Sequence, residues 1–138
     1  MEKRLFQSHC IFPTLDIEKT ADYYRNYLGF RSVAYLNTKE PHICLYRDDT
    51  EIILTRSNGQ KVIPNRTLYG YGYDAYFITD RQKALQKEFE DNGVNIVKAL
   101  IKTDYHNKEF VIEDIDGRWI GFGIKESQVK RIKNKRTS

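Results

Sequence analysis

The apolar positions of this chain fall into a pattern that occurs twice. After Asp16, the stretch IEKTADYYRNYLG places Ala21, Tyr24 and Leu28 at i, i+3 and i+7, which marks one face of a helix. Asp16 suits the N-cap, and Gly29 suits the left-handed position just past the helix end. Sixty-four residues on, Asp80 precedes RQKALQKEFEDNG, with Ala84, Leu85 and Phe89 on one face and Gly93 at the end. The distance from Asp to Gly is 13 in both halves.

The flanks repeat as well. An apolar strand precedes each helix, LFQSHCIFPTL in the first half and YDAYFIT in the second. Each helix is followed by an extended segment and then a hairpin. The first is HICLYRDDTEIILTRS, turning at Asp48-Asp49, and the second is KEFVIEDIDGRWIGFGI, turning at Asp114 to Gly117. Asp- and Gly-rich turns between alternating runs are hairpin signals. Each half is therefore β-α-β-β-β. The pattern predicts an α+β fold in which two tandem βαβββ modules form a curved mixed sheet of about eight strands enclosing a cleft. It expects a single domain over residues 1–125, with modules at about 5–66 and 67–125, and a basic tail over 126–138.

Composition changes this picture little. A chain of 138 residues with 40% hydrophobic and 30% charged content is ordinary for one soluble domain and can bury a sizeable core without metal or disulfide. It has no apolar run of about 20 residues, and MEKRLFQSHC lacks the features of a secretory signal, so a cytoplasmic protein without membrane contact is expected. Cys10 and Cys44 sit in apolar, strand-like stretches outside any CxxC pair, which reads as buried reduced thiols rather than a zinc site. The net charge of +4 is uneven: from Lys125 onward six basic residues face one acid, a net +5, which leaves −1 for residues 1–124. The tail reads either as a solvated terminus or as a nucleic-acid arm.

The stretches FPTLDIEKTADYYRNYLGF (12–30) and KEFVIEDIDGRWIGFG (108–123) resemble the opening and closing motifs of the vicinal oxygen chelate superfamily, which includes glyoxalase I, extradiol dioxygenases and bleomycin-binding proteins. Ile115 stands where the family usually has Pro in the last turn, and Asp116-Gly117 keeps the turn chemistry. In the enzymatic members a divalent ion is held by one ligand pair per module. The resemblance maps those positions onto His9, Ile53, Asp74 and Gly121. Ile53 and Gly121 offer no side-chain donor, and one imidazole with one carboxylate retains a divalent ion poorly. The expectation is no metal, no cofactor and no catalytic residue, with His9 and Asp74 as a possible hydrogen-bonded pair.

Metal-free relatives match in further detail. YRDDTEIILTRS and KVIPNRTL resemble segments of bleomycin-resistance proteins, which sequester a drug in clefts at a homodimer interface. His106 stands at the position of their stacking Trp, with Tyr105 beside it. The resemblance thus implies a homodimeric binder of an aromatic or amphipathic small molecule, which could be a bleomycin-family antibiotic. Strand alternation adds the lining: Glu51, Ile53 and Thr55 on one strand, Trp119 and Gly121 on another, Asp74 and Tyr76 on a third. Trp119 is either a core residue or a stacking surface left uncovered by the flanking glycines.

Two other classes stay open. A glyoxalase-like lyase would need a carboxylate base, for which Glu113 and Asp74 are the candidates. A nucleic-acid or protein-interaction module would use the basic tail, although no nucleic-acid motif accompanies it. Within TLYGYGYDAYF, residues 67–72 read as the end of the connection between modules and 73–79 as the opening strand of the second. Tyr69 and Tyr71 then lie at a cleft rim or a dimer interface.

Overall fold

The computed structural model describes residues 2–102, 107–125 and 127–129. The chain divides between Val62 and Ile63 into two compact units. The element order is β1 (Cys10–Thr14), α1 (Ile17–Leu28), β2 (Arg31–Tyr35), β3 (His42–Arg47) and β4 (Thr50–Arg56), then α2 (Asn65–Tyr69), β5 (Ala75–Ile78), α3 (Gln82–Asp91), β6 (Asn95–Lys102), β7 (Asn107–Glu113) and β8 (Trp119–Lys125). Each half is a βαβββ unit with its own four-stranded mixed sheet, ordered β1-β4-β3-β2 in the first unit and β5-β8-β7-β6 in the second. The outer pairs β1–β4 and β5–β8 are parallel, and the remaining pairs are antiparallel.

In the first unit α1 begins as its sequence dictates. The Asp16 carboxylate accepts from the Lys19 N–H at 3.1 Å, and Gly29 at φ 75° closes the helix with its N–H on the Tyr24 carbonyl. Ala21, Tyr24 and Leu28 are all buried, so α1 lays its apolar stripe over the sheet. There it meets Phe12, Ile43, Leu45, Ile52 and Leu54, all of them buried. Thr14 and Thr20, both buried, satisfy each other at 2.6 Å. The β3–β4 hairpin turns at Asp48-Asp49, with Asp48 at φ 49°.

The second unit departs more from its pattern. Helix α3 starts at Gln82, its N-cap is Arg81 rather than Asp80, and no side chain caps it. The buried face is Gln82 and Phe89, while Ala84 is exposed and Leu85 only half-buried. Gln82 is carried inside because its amide donates to the Lys108 carbonyl at 2.9 Å, a satisfied polar contact that a hydrophobic pattern does not register. Phe89, Phe110 and Phe122 pack ring to ring at 5.2–6.0 Å and form the heart of this core. A short helix, α2, lies in the connection between the modules, and the strand expected over 73–79 covers only Ala75–Ile78. The turn into β8 is held by Asp114 and Arg118, both buried. The Asp114 carboxylate accepts from the Asp116 and Arg118 N–H groups, and it meets the Arg118 guanidinium at 3.0 Å.

Candidate functional site

Each helix covers one face of its sheet, and chemistry-bearing residues collect on the other. In the first unit the register Tyr46↔Glu51, Cys44↔Ile53 and His42↔Thr55 sets these side chains on the helix-free face, together with Ile11 opposite Ile53. His9 Nδ1 lies 3.0 Å from Glu51 Oε1. The carboxylate found beside His9 is thus Glu51, two residues before the position that the resemblance assigns to a ligand. Cys44 is buried, and burial pushes its thiol above its ordinary 9.0. The Tyr46 phenol is pushed up to about 12, first by its hydrogen bond with Cys44, then by desolvation and the nearby Glu51 charge. The Arg31 guanidinium sits 4.6 Å from the Tyr46 ring centre. A donor-rich patch therefore surrounds the apolar Ile53.

In the second unit the glycines of β8 decide the geometry. Tyr76 pairs with Gly121, and Trp119, Gly121 and Gly123 share its face. A Cβ on Gly121 would stand 2.7 Å from the Tyr76 ring and 3.1 Å from the Tyr73 ring. A Cβ on Gly123 would stand 2.4 Å from the Lys108 carbonyl oxygen and 2.5 Å from the Tyr76 hydroxyl. The two tyrosines therefore lie directly on a glycine floor, stacked with ring centres 6.3 Å apart. Their phenols converge on Glu109, which is 1% exposed: Tyr73 donates to Oε2 at 2.6 Å and Tyr76 to Oε1 at 3.1 Å. A buried carboxylate is costly unless it is hydrogen-bonded, and the phenols meet that demand.

Asp74 stands just before β5 and is occupied by the backbone. It accepts from the Asn65 N–H at 3.1 Å and the Trp119 N–H at 3.2 Å, and its own N–H donates to the Trp119 carbonyl at 2.8 Å. It fastens α2 to the start of β8, which leaves its carboxylate poorly placed to act as a base. Trp119 is half-buried, with the Arg66 guanidinium 3.7 Å from its ring centre and Lys98 Nζ at 5.5 Å. Glu113 is paired opposite Trp119 in the β7–β8 ladder. Tyr71 is 80% exposed in the connection before β5. Tyr105, His106 and the tail beyond residue 129 lie outside the described residues.

The family's metal fits this donor set badly. Ile53 has no donor, Gly121 lies under the Tyr73 and Tyr76 rings, and both Asp74 oxygens take backbone N–H groups. Among the described residues no group of three His, Cys, Asp or Glu side chains could hold an ion. No helix among them is long and apolar enough to cross a membrane.

The family model for the Glyoxalase/Bleomycin resistance protein/Dioxygenase superfamily matches residues 7–122. The chain belongs to this superfamily. Solved structures of similar fold include UcmS2, at 20% identity and TM-score 0.66, over 88% of this chain and 98% of that one. Another is TnmS3, described as an antibiotic binding protein from Streptomyces sp. CB03234, at 19% identity and TM-score 0.64, covering 87% and 98%. A superfamily member from Sphaerobacter thermophilus is 21% identical with TM-score 0.66, covering 86% and 97%. No curated protein matches the chain.

The ligand positions expected from sequence, His9, Ile53, Asp74 and Gly121, came from the family resemblance. Four residues that escape that reading stand beside Tyr76 and Trp119 in the structure: Tyr73, Glu109, Arg66 and Lys98. Glu109 alternates with Val111 and Glu113 along β7, so the strand period could have placed it on the helix-free face. Arg66 and Lys98 carry no comparable signal.

Proposed function

We propose that this protein binds and sequesters an aromatic or amphipathic small molecule, without a metal ion and without chemical conversion. The observation that carries the reading is the glycine floor of β8. At the place where a metalloenzyme of this superfamily would present a ligand, Tyr76 and Tyr73 lie flat over Gly121 beside the half-buried Trp119. An aromatic wall with a few fixed polar groups is the usual make-up of a small-molecule site. The similarity in fold to TnmS3 agrees with a binder, and within the second unit Arg66 and Lys98 add charged groups beside the Trp119 ring. In the same reading the protein works as a homodimer in the cytoplasm, and light scattering of the purified chain tests the dimer.

A thermal-shift screen with bleomycin-type drugs and planar aromatic compounds tests the function. A ligand specific for the native state raises the apparent Tm with its concentration. The expected result is a saturable shift for at least one aromatic compound, lost in Trp119→Ala and indifferent to a chelator. Absence of any shift across the panel would sink the binding reading.

A further inference from the structure

The strand β6 is irregular where it matters. Ile96 pairs with Ile112 and Lys98 pairs with Val111, a register shift within two residues, and a second shift follows before Ile101↔Glu109. In an uninterrupted antiparallel ladder Lys98 would fall opposite Phe110, which belongs to the phenylalanine core under α3. The bulge inserts one residue, and Lys98 emerges instead with Val111, on the face of Trp119 and Tyr76. Bulges recur beside functional sites because they re-aim a side chain in this way. Here the re-aimed ammonium is 5.5 Å from the Trp119 ring centre and 5.7 Å from the Tyr73 ring centre.

A second cation reaches the same indole from a different element. The Arg66 guanidinium, carried by α2, lies 3.7 Å from the Trp119 ring centre. Among the described residues neither Arg66 nor Lys98 has a carboxylate within ion-pair distance. The nearby acids are engaged elsewhere: Glu109 with two phenols and Asp74 with two backbone N–H groups. Glu113, across the ladder from Trp119, is also engaged. Two cations thus share an aromatic surface, and among the described residues each is set against a ring face rather than a carboxylate.

From this juxtaposition we propose that the ligand is a planar aromatic acid, its ring laid beside the Trp119 indole and its carboxylate or sulfonate taken by Arg66 and Lys98. The proposal rests on the aromatic-binder reading above and narrows it to one charge class. A guanidinium already stacked on an indole can turn its N–H edge to a carboxylate and hold both oxygens, and the ammonium adds a point charge. A cationic ligand would meet two like charges at the same place, which is costly where water is partly excluded.

The sequence holds a single Trp, so the indole N–H signal in a 1H–15N spectrum of the full chain reports on Trp119 alone. Three probes of one shape are titrated: 2-naphthoate, 2-naphthalenemethanol and 2-naphthylmethylammonium. The acid is expected to move that signal and to bind about tenfold tighter than the alcohol, with the ammonium weakest. In Lys98→Gln and in Arg66→Gln the preference for the acid over the alcohol is expected to shrink severalfold. Both positions are exposed, and the rest of the amide spectrum verifies that each variant is folded. Equal affinity for acid and alcohol, a preference for the ammonium, or an acid preference that survives both substitutions overturns the proposal and leaves an aromatic binder standing. If none of the three probes and none of the drug panel moves the indole signal, the binder reading falls as well.

Discussion

At Gly121 and Gly123 the absence of a side chain is itself structural. The Tyr76 ring occupies the space that a Cβ would need at Gly121, and its hydroxyl crowds the one at Gly123. Gly121→Ala meets only movable ring carbons, so it is expected to destabilise the protein by about 1–3 kcal/mol, the range for overpacking a core. Gly123→Ala meets the Lys108 carbonyl oxygen at 2.4 Å, a backbone atom that cannot swing aside, and should cost more. Urea denaturation of the two variants checks the order. Tyr73→Phe removes the shorter of the two bonds to the buried Glu109, and about 1–3 kcal/mol is expected for a hydrogen bond to a charged group. If that variant is as stable as the parent, the Tyr73 hydroxyl's bond to Glu109 does not contribute to the fold. From sequence, the alternating Tyr and Gly read as one wall of a pocket. That the tyrosines and the β8 glycines are two halves of one contact was hidden, because 45 residues separate Tyr76 from Gly121.

Among the elements, legibility tracked how far a segment's local preferences agree with its packing. Helix α1 carries an Asp cap, a Gly stop and a buried stripe, all visible in the residues. Asp16→Ala is therefore expected to cost about 1 kcal/mol, the usual worth of an N-cap, as read from a chemical melt. Helix α3 was half legible. Its existence follows from periodicity, but the start moved to Gln82 because a buried amide found a carbonyl partner. The bulges in β6 could not be read at all, since strand reasoning assumes a strict period of two. The β7–β8 turn shows the reverse case. Its Asp and Gly announce a turn, and the structure adds a buried pair between Asp114 and Arg118. Arg118→Ala strands that carboxylate inside and should cost about 3–5 kcal/mol, measurable as a lowered denaturation midpoint.

For the molecule as a whole, the raised ionisation of three groups contributes to its behaviour in alkali. Burial raises the thiols of Cys10 and Cys44 above 9.0, and the Tyr46 phenol rises from 10.0 to about 12. An unfolded chain therefore releases these protons before the folded one does. Their stabilising contribution is complete below about pH 9 and is lost as pH climbs through the folded values toward 12. The Tm should decline over that interval, and Tyr46→Phe should soften the decline above pH 10; a slope identical to the parent's would argue against this origin. Metal analysis after purification in metal-supplemented buffer should find no stoichiometric ion, because donors are missing at Ile53 and Gly121.

The tyrosines resting on β8 also bear on how this chain could change over generations. A Glu installed at position 121 would place its first carbon 2.7 Å from the Tyr76 ring, so the donor could not be presented while that ring stays. Shrinking Tyr76 first would strip Glu109 of one of its two phenols and open a void over the bare strand. Each of the two changes is harmful until the other is present. The bare strand and the tyrosine above it thus hold each other in place, and neither is free to vary alone.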